Sequence, residues 1–280
     1  MKLTSPLQKM FPSFHLSIII PTYESAEALK RCLRSLEEQR YPIEEIIVVD
    51  GFSKDNTREI ASKLGARVIL ASGTQAAARN AGLANSKGDY VLFLDSDQQL
   101  DAGVIEECVL ACLTHGAEAV KIPEDFVGID FWGRCSALWK NRMVRAWGPQ
   151  GGIPRFYRRS SLLESSAFNN RLRFWEDLEL YQRLKLVGVR EAWCGARVIH
   201  YENGSLMGTI QKYVSYGRSI AAFRDNPIKA PYVSTVRLTL STLVHTLRHP
   251  GKSFKVFLGS LFLVAVKSLS VALGFLSRLR

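Results

Sequence analysis

A short apolar run, followed by a polar turn and then by a helical pattern, occurs repeatedly in the first hundred residues. Residues 16–20 lead into Pro21-Thr-Tyr-Glu24, and residues 45–49 lead into Asp50. Runs of this length that are rich in Ile and Val are typical of buried strands. Strands that alternate with helices predict an α/β fold, in which helices flank a single mixed, mostly parallel sheet with right-handed crossovers.

The same alternation continues through residue 94. Residues 67–70 predict a third strand, residues 75–84 a helix, and residues 90–94 a fourth strand. In the helix after Asp50, Ser53 or Asp55 is expected to cap the amino end, and Gly65 is expected to end the helix.

Two carboxylates one residue apart, Asp95 and Asp97, follow the fourth predicted strand. Ligands of open α/β sheets bind beyond the carboxyl ends of the strands, and like charges this close repel unless a cation or a donor lies between them. Hard oxygen ligands suit Mg²⁺ or Mn²⁺. A solvated turn after a strand would give the same pattern. A helix cap would account for Asp50 by itself, but it is a poor explanation for three strand-end carboxylates together.

Five ordered motifs carry a resemblance to a known family. They are Ser17-Ile-Ile-Ile-Pro-Thr-Tyr-Glu24, Val48-Val-Asp50-Gly-Phe-Ser53-Lys-Asp55-Asn-Thr57, Ala78-Arg79-Asn80-Ala-Gly82, Leu94-Asp95-Ser-Asp97 and Phe174-Trp175-Glu176-Asp177-Leu178. Their order over roughly residues 16–200 resembles the family 2 glycosyltransferases, which have the GT-A fold. Many members have two adjacent aspartates where this chain has Asp50-Gly51, and Phe52 stands where a glycine is common.

The resemblance implies a nucleotide-sugar donor, UDP- or GDP-linked, and roles for the strand-end residues. Asp50 would accept a hydrogen bond from the base, since an ionised carboxylate is only an acceptor. Asp95 would face the ribose, and Asp97 would bind a Mg²⁺ or Mn²⁺ ion that bridges the diphosphate. The other residues expected to line the nucleotide site are Pro21, Thr22, Tyr23, Glu24 and Arg79.

The same resemblance implies that Asp177 is the general base for an inverting displacement, and that Glu176 orients the acceptor. An acidic first turn of a helix is the structural alternative for this pair, because the helix dipole favours negative charge there. His200 is expected to complete the metal site, although a histidine at a strand end can be purely structural. Arg155 or Arg158 lies either near the diphosphate or on a solvated basic edge.

The net charge of +11 is concentrated at the carboxyl end of the chain, since the last acidic residue is Asp225. Beyond it the sequence predicts two basic amphipathic helices, at residues 232–248 and 254–280, which suit a membrane interface. A bilayer-spanning second helix and packing on the catalytic domain or on a second subunit are the alternatives. Eight cations follow Asp225: Lys229, Arg237, Arg248, Lys252, Lys255, Lys267, Arg278 and Arg280.

The expected organisation is an amino-terminal extension at residues 1–15, a catalytic domain at 16–225 and a membrane-interface element at 226–280. Three tryptophans, Trp132, Trp139 and Trp147, would suit a glycan or lipid-linked acceptor. The tail does not follow a nucleic-acid-binding module, so nucleic acid is not expected as a partner. Five cysteines, mostly in apolar settings, favour a reducing cytoplasmic location on the inner membrane surface.

A Gln-x-x-Arg-Trp motif, which processive polysaccharide synthases carry, is not found in the sequence. Transfer of one sugar per event is therefore expected. A non-catalytic relative that binds sugar nucleotides or glycans is the alternative from a different functional class.

Overall fold

The computed structural model describes residues 15–148, 152–220, 232–249 and 253–278. The predicted extension at 1–15 lies almost entirely outside this part of the chain, and the predicted domain boundary at residue 225 lies outside it as well. The described residues form two compact units that interleave along the sequence. The first unit contains residues 15–123, Gly152–Asn170 and Glu176–Ile199, and the second contains residues 124–148, Arg171–Trp175 and the described residues from His200 onward.

The first unit is built around a seven-stranded sheet with the strand order β3-β2-β1-β4-β8-β6-β9. Its strands are β1 Leu16–Thr22, β2 Glu45–Asp50, β3 Arg67–Leu70, β4 Tyr90–Phe93, β6 Ala119–Lys121, β8 Phe156–Arg158 and β9 Glu191–Trp193. Strands β1 to β4 are parallel, whereas β8 runs antiparallel to both of its neighbours. The predicted mixed, mostly parallel sheet is confirmed.

Helices cover both faces of this sheet. They are α1 Ala26–Glu37, α2 Thr57–Lys63, α3 Gln75–Asn85, α4 Val104–His115, α6 Arg159–Glu164 and α7 Glu176–Leu186. Alternate residues of a strand point to opposite faces, so Ile18 and Ile20 enter the core beneath α1 and α4. Ile19 enters the opposite core, which contains residues of α3 and α7. The first unit is therefore a three-layer αβα arrangement.

The register of the sheet brings the predicted strand-end residues to one edge. Thr22 of β1 lies opposite Asp50 of β2, and Ile19 of β1 lies opposite Phe93 of β4, two residues before Asp95. Neighbouring strands lie about 4.8 Å apart. The ends of β2, β1 and β4 are therefore consecutive along the sheet edge, as the sequence predicts.

The second unit contains mainly helices: α5 Phe131–Trp147, α8 Leu206–Ile220, α9 Tyr232–Arg248 and α10 Phe254–Leu276, with strand β7 Glu124–Gly128. Strand β5 Gln98–Leu100 lies in the first unit. Strand β10 Val198–Glu202 begins in the first unit and ends in the second. Helix α10 packs on α5 and α8. Glycines allow a close crossing of α8 and α10, because a Cβ on Gly217 would collide with the Val271 carbonyl and one on Gly274 with the Val214 carbonyl.

Helix α10 has two of its serines on the inside. Ser260 and Ser270 are buried, whereas Phe262 is 51% and Leu269 is 63% exposed. The structure covers the face that carries these serines, but it leaves Lys255 and Arg278 exposed. It leaves a stripe of large apolar side chains outside, formed by Phe254, Leu258, Phe262, Leu269, Leu273 and Leu276.

Candidate active site

Arg79 joins three of the sequence motifs in the first unit. Its guanidinium is buried; Nη2 donates to Asp95 Oδ1 at 3.0 Å, and Nη1 donates to Glu176 Oε1 at 3.0 Å. Helix α3 positions Arg79, and the Thr74 hydroxyl caps that helix by accepting a hydrogen bond from the Ala77 N–H at 3.1 Å. Residues that are up to 97 positions apart in the sequence therefore form one network.

Both carboxylate oxygens of Asp95 accept hydrogen bonds from protein side chains. Gln75 Nε2 donates to Oδ1 at 2.8 Å, and Arg155 Nη1 donates to Oδ2 at 3.3 Å. The turn itself is fixed by Gln98, whose side-chain oxygen accepts from the Asp95 N–H and whose own N–H donates to the Asp95 carbonyl. Asp95 is thus held rigidly, and half-buried Asp97 follows two residues later.

Glu176 and Asp177 begin helix α7. Burial, and then the adjacent Asp177, raise the pKa of Glu176 to about 7, although Arg79 opposes this shift. Asp177 is half-buried, and its Oδ1 accepts a hydrogen bond from the Leu178 N–H at 2.7 Å. The two carboxylates therefore have different environments, as is common where acid and base roles are divided.

Ser53 or Asp55 was expected to cap the helix after Asp50, and Ser53 does not. Its N–H and its hydroxyl donate to the two oxygens of the fully buried Asp50, at 2.9 and 2.5 Å. The Ser53 oxygen also accepts from the Glu24 N–H at 2.8 Å. The Asp55 carboxylate instead accepts from the Thr57 N–H and hydroxyl where α2 begins, and Gly65 ends this helix with φ +79°. Ser53 thereby links the β1 and β2 turns.

Two aromatic rings are exposed at these turns. Tyr23 is 59% and Phe52 is 53% exposed. Phe52 has φ +67° and Glu24 has φ +45°, a left-handed backbone that costs a non-glycine residue about 1–3 kcal/mol. Gly51 lets the turns approach, because a Cβ there would stand 3.4 Å from the Tyr23 ring. Backbone strain of this kind persists where surrounding bonds enforce it, and Ser53 supplies those bonds here.

Two buried polar atoms near the sheet edge lack a hydrogen-bond partner among the residues that the structure describes. They are Thr22 Oγ1 and Arg79 Nε. Both residues are predicted to line the nucleotide site. A buried polar group without a partner is destabilising, so an unpaired acceptor and an unpaired donor at this edge are consistent with a polar ligand.

Arg155 and Arg158 have different roles. Arg155 contacts Asp95, as described above, whereas Arg158 donates to the Tyr90 hydroxyl at 3.2 Å and lies over the Tyr90 ring. Sequence reasoning left this choice open; it missed Gln75 altogether and gave Ser53 only a capping role. Only the position of Gln75 in the first turn of the helix before Asp95 could have suggested its contact.

His200 lies in the second unit. Its imidazole is within 3.8 Å of a Glu124 oxygen and 3.9 Å of a Glu202 oxygen, and it stacks on the Phe126 ring at 5.1 Å. Within the described residues, no group of three or more His, Cys, Asp or Glu side chains is arranged to hold a metal ion. The metal role of His200 remains a prediction.

Comparisons with known proteins agree with this geometry. The family model described as "Glycosyl transferase family 2" matches residues 17–170. Glycosyltransferase AglE of Haloferax volcanii is 37% identical over 102 residues, which cover 31% of this chain and 34% of AglE. The chain thus spans only about a third, or less, of the length of the curated relatives that head the comparison.

Solved structures share the fold. The mannosyltransferase PcManGT from Pyrobaculum calidifontis, in complex with GDP-Man and Mn²⁺, superposes with a TM-score of 0.58 at 16% identity, covering 96% of this chain and 88% of that chain. Residues 1–349 of TarS from S. aureus, in complex with UDP-GlcNAc, give a TM-score of 0.55 at 16% identity, covering 92% and 83%. The fold is GT-A, and the chain belongs to glycosyl transferase family 2.

Proposed function

We propose that this protein transfers a single sugar from a nucleotide-diphosphate sugar to an acceptor hydroxyl, with inversion at the anomeric carbon. The observation that carries the proposal is the position of Arg79, which holds Asp95 at the end of β4 and Glu176 at the start of α7. This bridge joins a predicted donor residue to the predicted catalytic pair. Two proteins of the same fold, TarS and PcManGT, are known in complex with UDP-GlcNAc and GDP-Man.

The donor would bind at the ends of β1, β2 and β4. The exposed rings of Tyr23 and Phe52 offer apolar faces on which a base can stack. The family resemblance implies that Asp50 accepts from the base; because Asp50 is fully buried and both of its oxygens accept from Ser53, its proposed part is to hold this turn in place beside the donor. Asp95 would accept from the ribose, and Thr22 and Arg79 have unpaired polar atoms to offer the nucleotide.

The residues fit a divalent cation of the Mg²⁺ or Mn²⁺ type. Such ions use one or two protein carboxylates and take their remaining ligands from phosphates and water, so a site without a three-residue protein cluster is compatible with them. Asp97 is the carboxylate proposed to hold the ion, as the family resemblance implies, and both oxygens of Asp95 accept from protein donors beside it. When bound, the ion would neutralise charge on the diphosphate leaving group.

Asp177 is proposed to take the proton from the acceptor hydroxyl as that oxygen attacks the anomeric carbon. The sugar–phosphate bond breaks on the opposite side, so configuration is inverted and the nucleoside diphosphate leaves. Glu176, anchored by Arg79, would orient the acceptor. A positioned base of this kind contributes about 10²–10⁴ in rate.

The second unit is proposed to lie on the cytoplasmic surface of a membrane, where it would meet a glycan or lipid-linked acceptor. Among the described residues, only α10 is long and apolar enough to cross a bilayer. Its exposed apolar stripe and its two buried serines suit a helix that lies in the membrane interface, with protein on its other side. Exposed cations near its two ends, Lys255 and Arg278, complement anionic lipid.

The proposed activity can be tested with the full chain, Mn²⁺ and a panel of UDP- and GDP-sugars. Release of nucleoside diphosphate, measured with and without lipid-linked and soluble glycan acceptors, is expected for one donor. Calorimetric binding of a nucleotide sugar without any turnover would favour the non-catalytic alternative. Absence of both binding and turnover across the panel would contradict the proposal.

A further inference from the structure

A cavity of about 130 Å³ lies within the second unit, between α5, α8 and α10. A buried water needs about 10–15 Å³ by a comparable measure, so the cavity has room for a group of several atoms. Three lysines line it, one from each helix: Lys140, Lys212 and Lys267. Glu202 is the single carboxylate in the lining. The lining therefore carries an excess of two positive charges.

Lys140 and Lys267 differ in how their charges are satisfied. Lys140 Nζ lies 2.5 Å from Glu202 Oε1 and above the Phe126 ring, so its charge has a protein partner. Lys267 Nζ donates to the Ser136 hydroxyl at 3.1 Å and lies 5.2 Å from the centroid of the Tyr213 ring. In the described part of the chain no carboxylate lies within ion-pair distance of Lys267.

A half-buried ammonium without a carboxylate partner is unfavourable. Burial, together with Lys140, lowers the pKa of Lys267 to about 8, so the folded unit disfavours this charge. A lysine with a purely structural role would be expected to end at an anion, as Lys140 does. The cavity therefore contains cationic groups that an incoming anion would stabilise.

Helix α8 adds a second feature that favours anions. Gly204 and Ser205 before its first residue, and Gly208 and Thr209 in its first turns, line the same cavity. The amino end of a helix carries unpaired N–H groups and partial positive charge. At this helix end the Gly208 N–H already donates to the Ser205 hydroxyl at 3.0 Å and the Gly204 N–H to Asp130 Oδ2 at 2.8 Å, so the helix contributes its partial positive charge.

We propose that this cavity binds a phosphate group, with Lys267, Lys140 and Lys212 as its cationic contacts. The two uncompensated positive charges match a phosphate monoester, which carries about −1.5 to −2 at pH 7. None of these residues belongs to the donor site of the first unit, so the assignment goes beyond the proposed transfer reaction. The phosphate comes either from a lipid headgroup, which α10 and its exposed apolar stripe would bring near, or from a soluble molecule.

The first experiment is a calorimetric titration of the full chain with inorganic phosphate at constant ionic strength. Two variants remove one cationic contact each: Lys212→Gln, at an exposed position, and Lys267→Met, which keeps the length of the side chain. Lys63→Met is the matched control, since Lys63 is exposed on α2 in the first unit and does not line the cavity. Circular dichroism and the melting temperature of each variant establish that the fold is kept.

Each cavity variant is expected to weaken phosphate binding about tenfold or more, because a hydrogen bond to a charged group is lost, while Lys63→Met binds as the parent does. Vesicles of phosphatidylcholine with phosphatidic acid identify the source. If these vesicles compete with phosphate for the parent but not for Lys267→Met, the ligand is a lipid headgroup. If phosphate binds and the vesicles do not compete with it, the ligand is a soluble molecule. Absence of phosphate binding, or equal binding by the parent and both cavity variants, would overturn the assignment. Neither readout depends on sugar transfer.

Discussion

Asp95 and Glu176 share one guanidinium: each accepts a hydrogen bond of 3.0 Å from Arg79, which has only 6% of its side chain exposed. The planar fork of an arginine can bond two carboxylates at once, whereas the single ammonium of a lysine acts as a point charge. The bridge therefore sets both the position of Asp95 beside the donor and the position of the first turn of α7.

Replacing Arg79 tests this bridge. Arg79→Lys is expected to lower donor affinity and turnover at least tenfold, and Arg79→Ala to lower the free energy of unfolding by about 3–5 kcal/mol, because buried carboxylates lose their partner. Urea unfolding and donor calorimetry measure the two effects. Arg34→Lys, at an exposed position of α1, is the control. Unchanged donor affinity in Arg79→Lys would show that the bridge has no part in the site.

Asp177→Asn is expected to reduce turnover by about 10²–10⁴ while donor binding is retained, since the amide cannot accept the acceptor's proton. Steady-state rates and donor calorimetry on the same preparation separate the two quantities. Asp89→Asn provides an exposed aspartate control away from the strand ends that carry the site. Full turnover in Asp177→Asn would remove the residue from its proposed role.

Glu176 predicts a pH dependence of stability. With its pKa at about 7 in the folded chain and 4.5 as its ordinary value, folded Glu176 keeps a proton that the unfolded chain has released. Stability is therefore lost as pH rises from about 4.5 to 7, by up to about 3 kcal/mol from this group. As pH rises across this window, the unfolding free energy of the parent is expected to fall relative to that of Glu176→Gln. A difference that stays constant with pH would contradict the assignment.

Phe52 is strained, so its replacement should separate stability from binding. Phe52→Gly is expected to relieve a left-handed backbone and raise the free energy of unfolding by about 1 kcal/mol, while the donor KM rises because a stacking face is lost. Phe52→Asn is the companion variant, since asparagine tolerates this conformation without offering a ring. An unchanged KM in both variants would place Phe52 outside the donor site.

The apolar stripe of α10 predicts membrane binding that can be removed without unfolding the unit. Phe262→Glu and Leu269→Glu change exposed positions, and each is expected to abolish most co-sedimentation with anionic liposomes. Leu163→Glu alters a similarly exposed leucine in the first unit and should bind as the parent does. Equal sedimentation of all four proteins would contradict an interfacial α10.

The strands and the residues at their ends could be predicted because buried parallel strands are continuous apolar runs. The strand at Arg67–Leu70 has the predicted bounds. Partners across the fold could not be predicted in the same way: Gln75 and Arg155 reach Asp95 through side-chain contacts that no local pattern specifies. Ser53 fitted a capping pattern, but the buried charge of Asp50 binds its hydroxyl instead.

Helix α10 shows a different limit. Periodicity identifies which residues share a face of the helix, such as Ser260, Ser270 and Gly274, which are all buried here. It does not determine which side the protein covers, because that depends on what the neighbouring helices offer. Here the polar side is covered, because Gly274 packs closely against the Val214 carbonyl and the Ser136 hydroxyl accepts a hydrogen bond from Lys267.

The crossing of α8 and α10 at Gly217 and Gly274 has a consequence for the cavity that the three lysines line. Lys212 precedes Gly217 on one helix, and Lys267 precedes Gly274 on the other, so the spacing of the two ammonium groups is governed by how near the helix axes come. Any side chain at either glycine would wedge the axes apart and widen the gap between the cations. Because neither glycine has a side chain, the helices cross closely, and this close crossing limits the size of an anion that could fit between the two lysines.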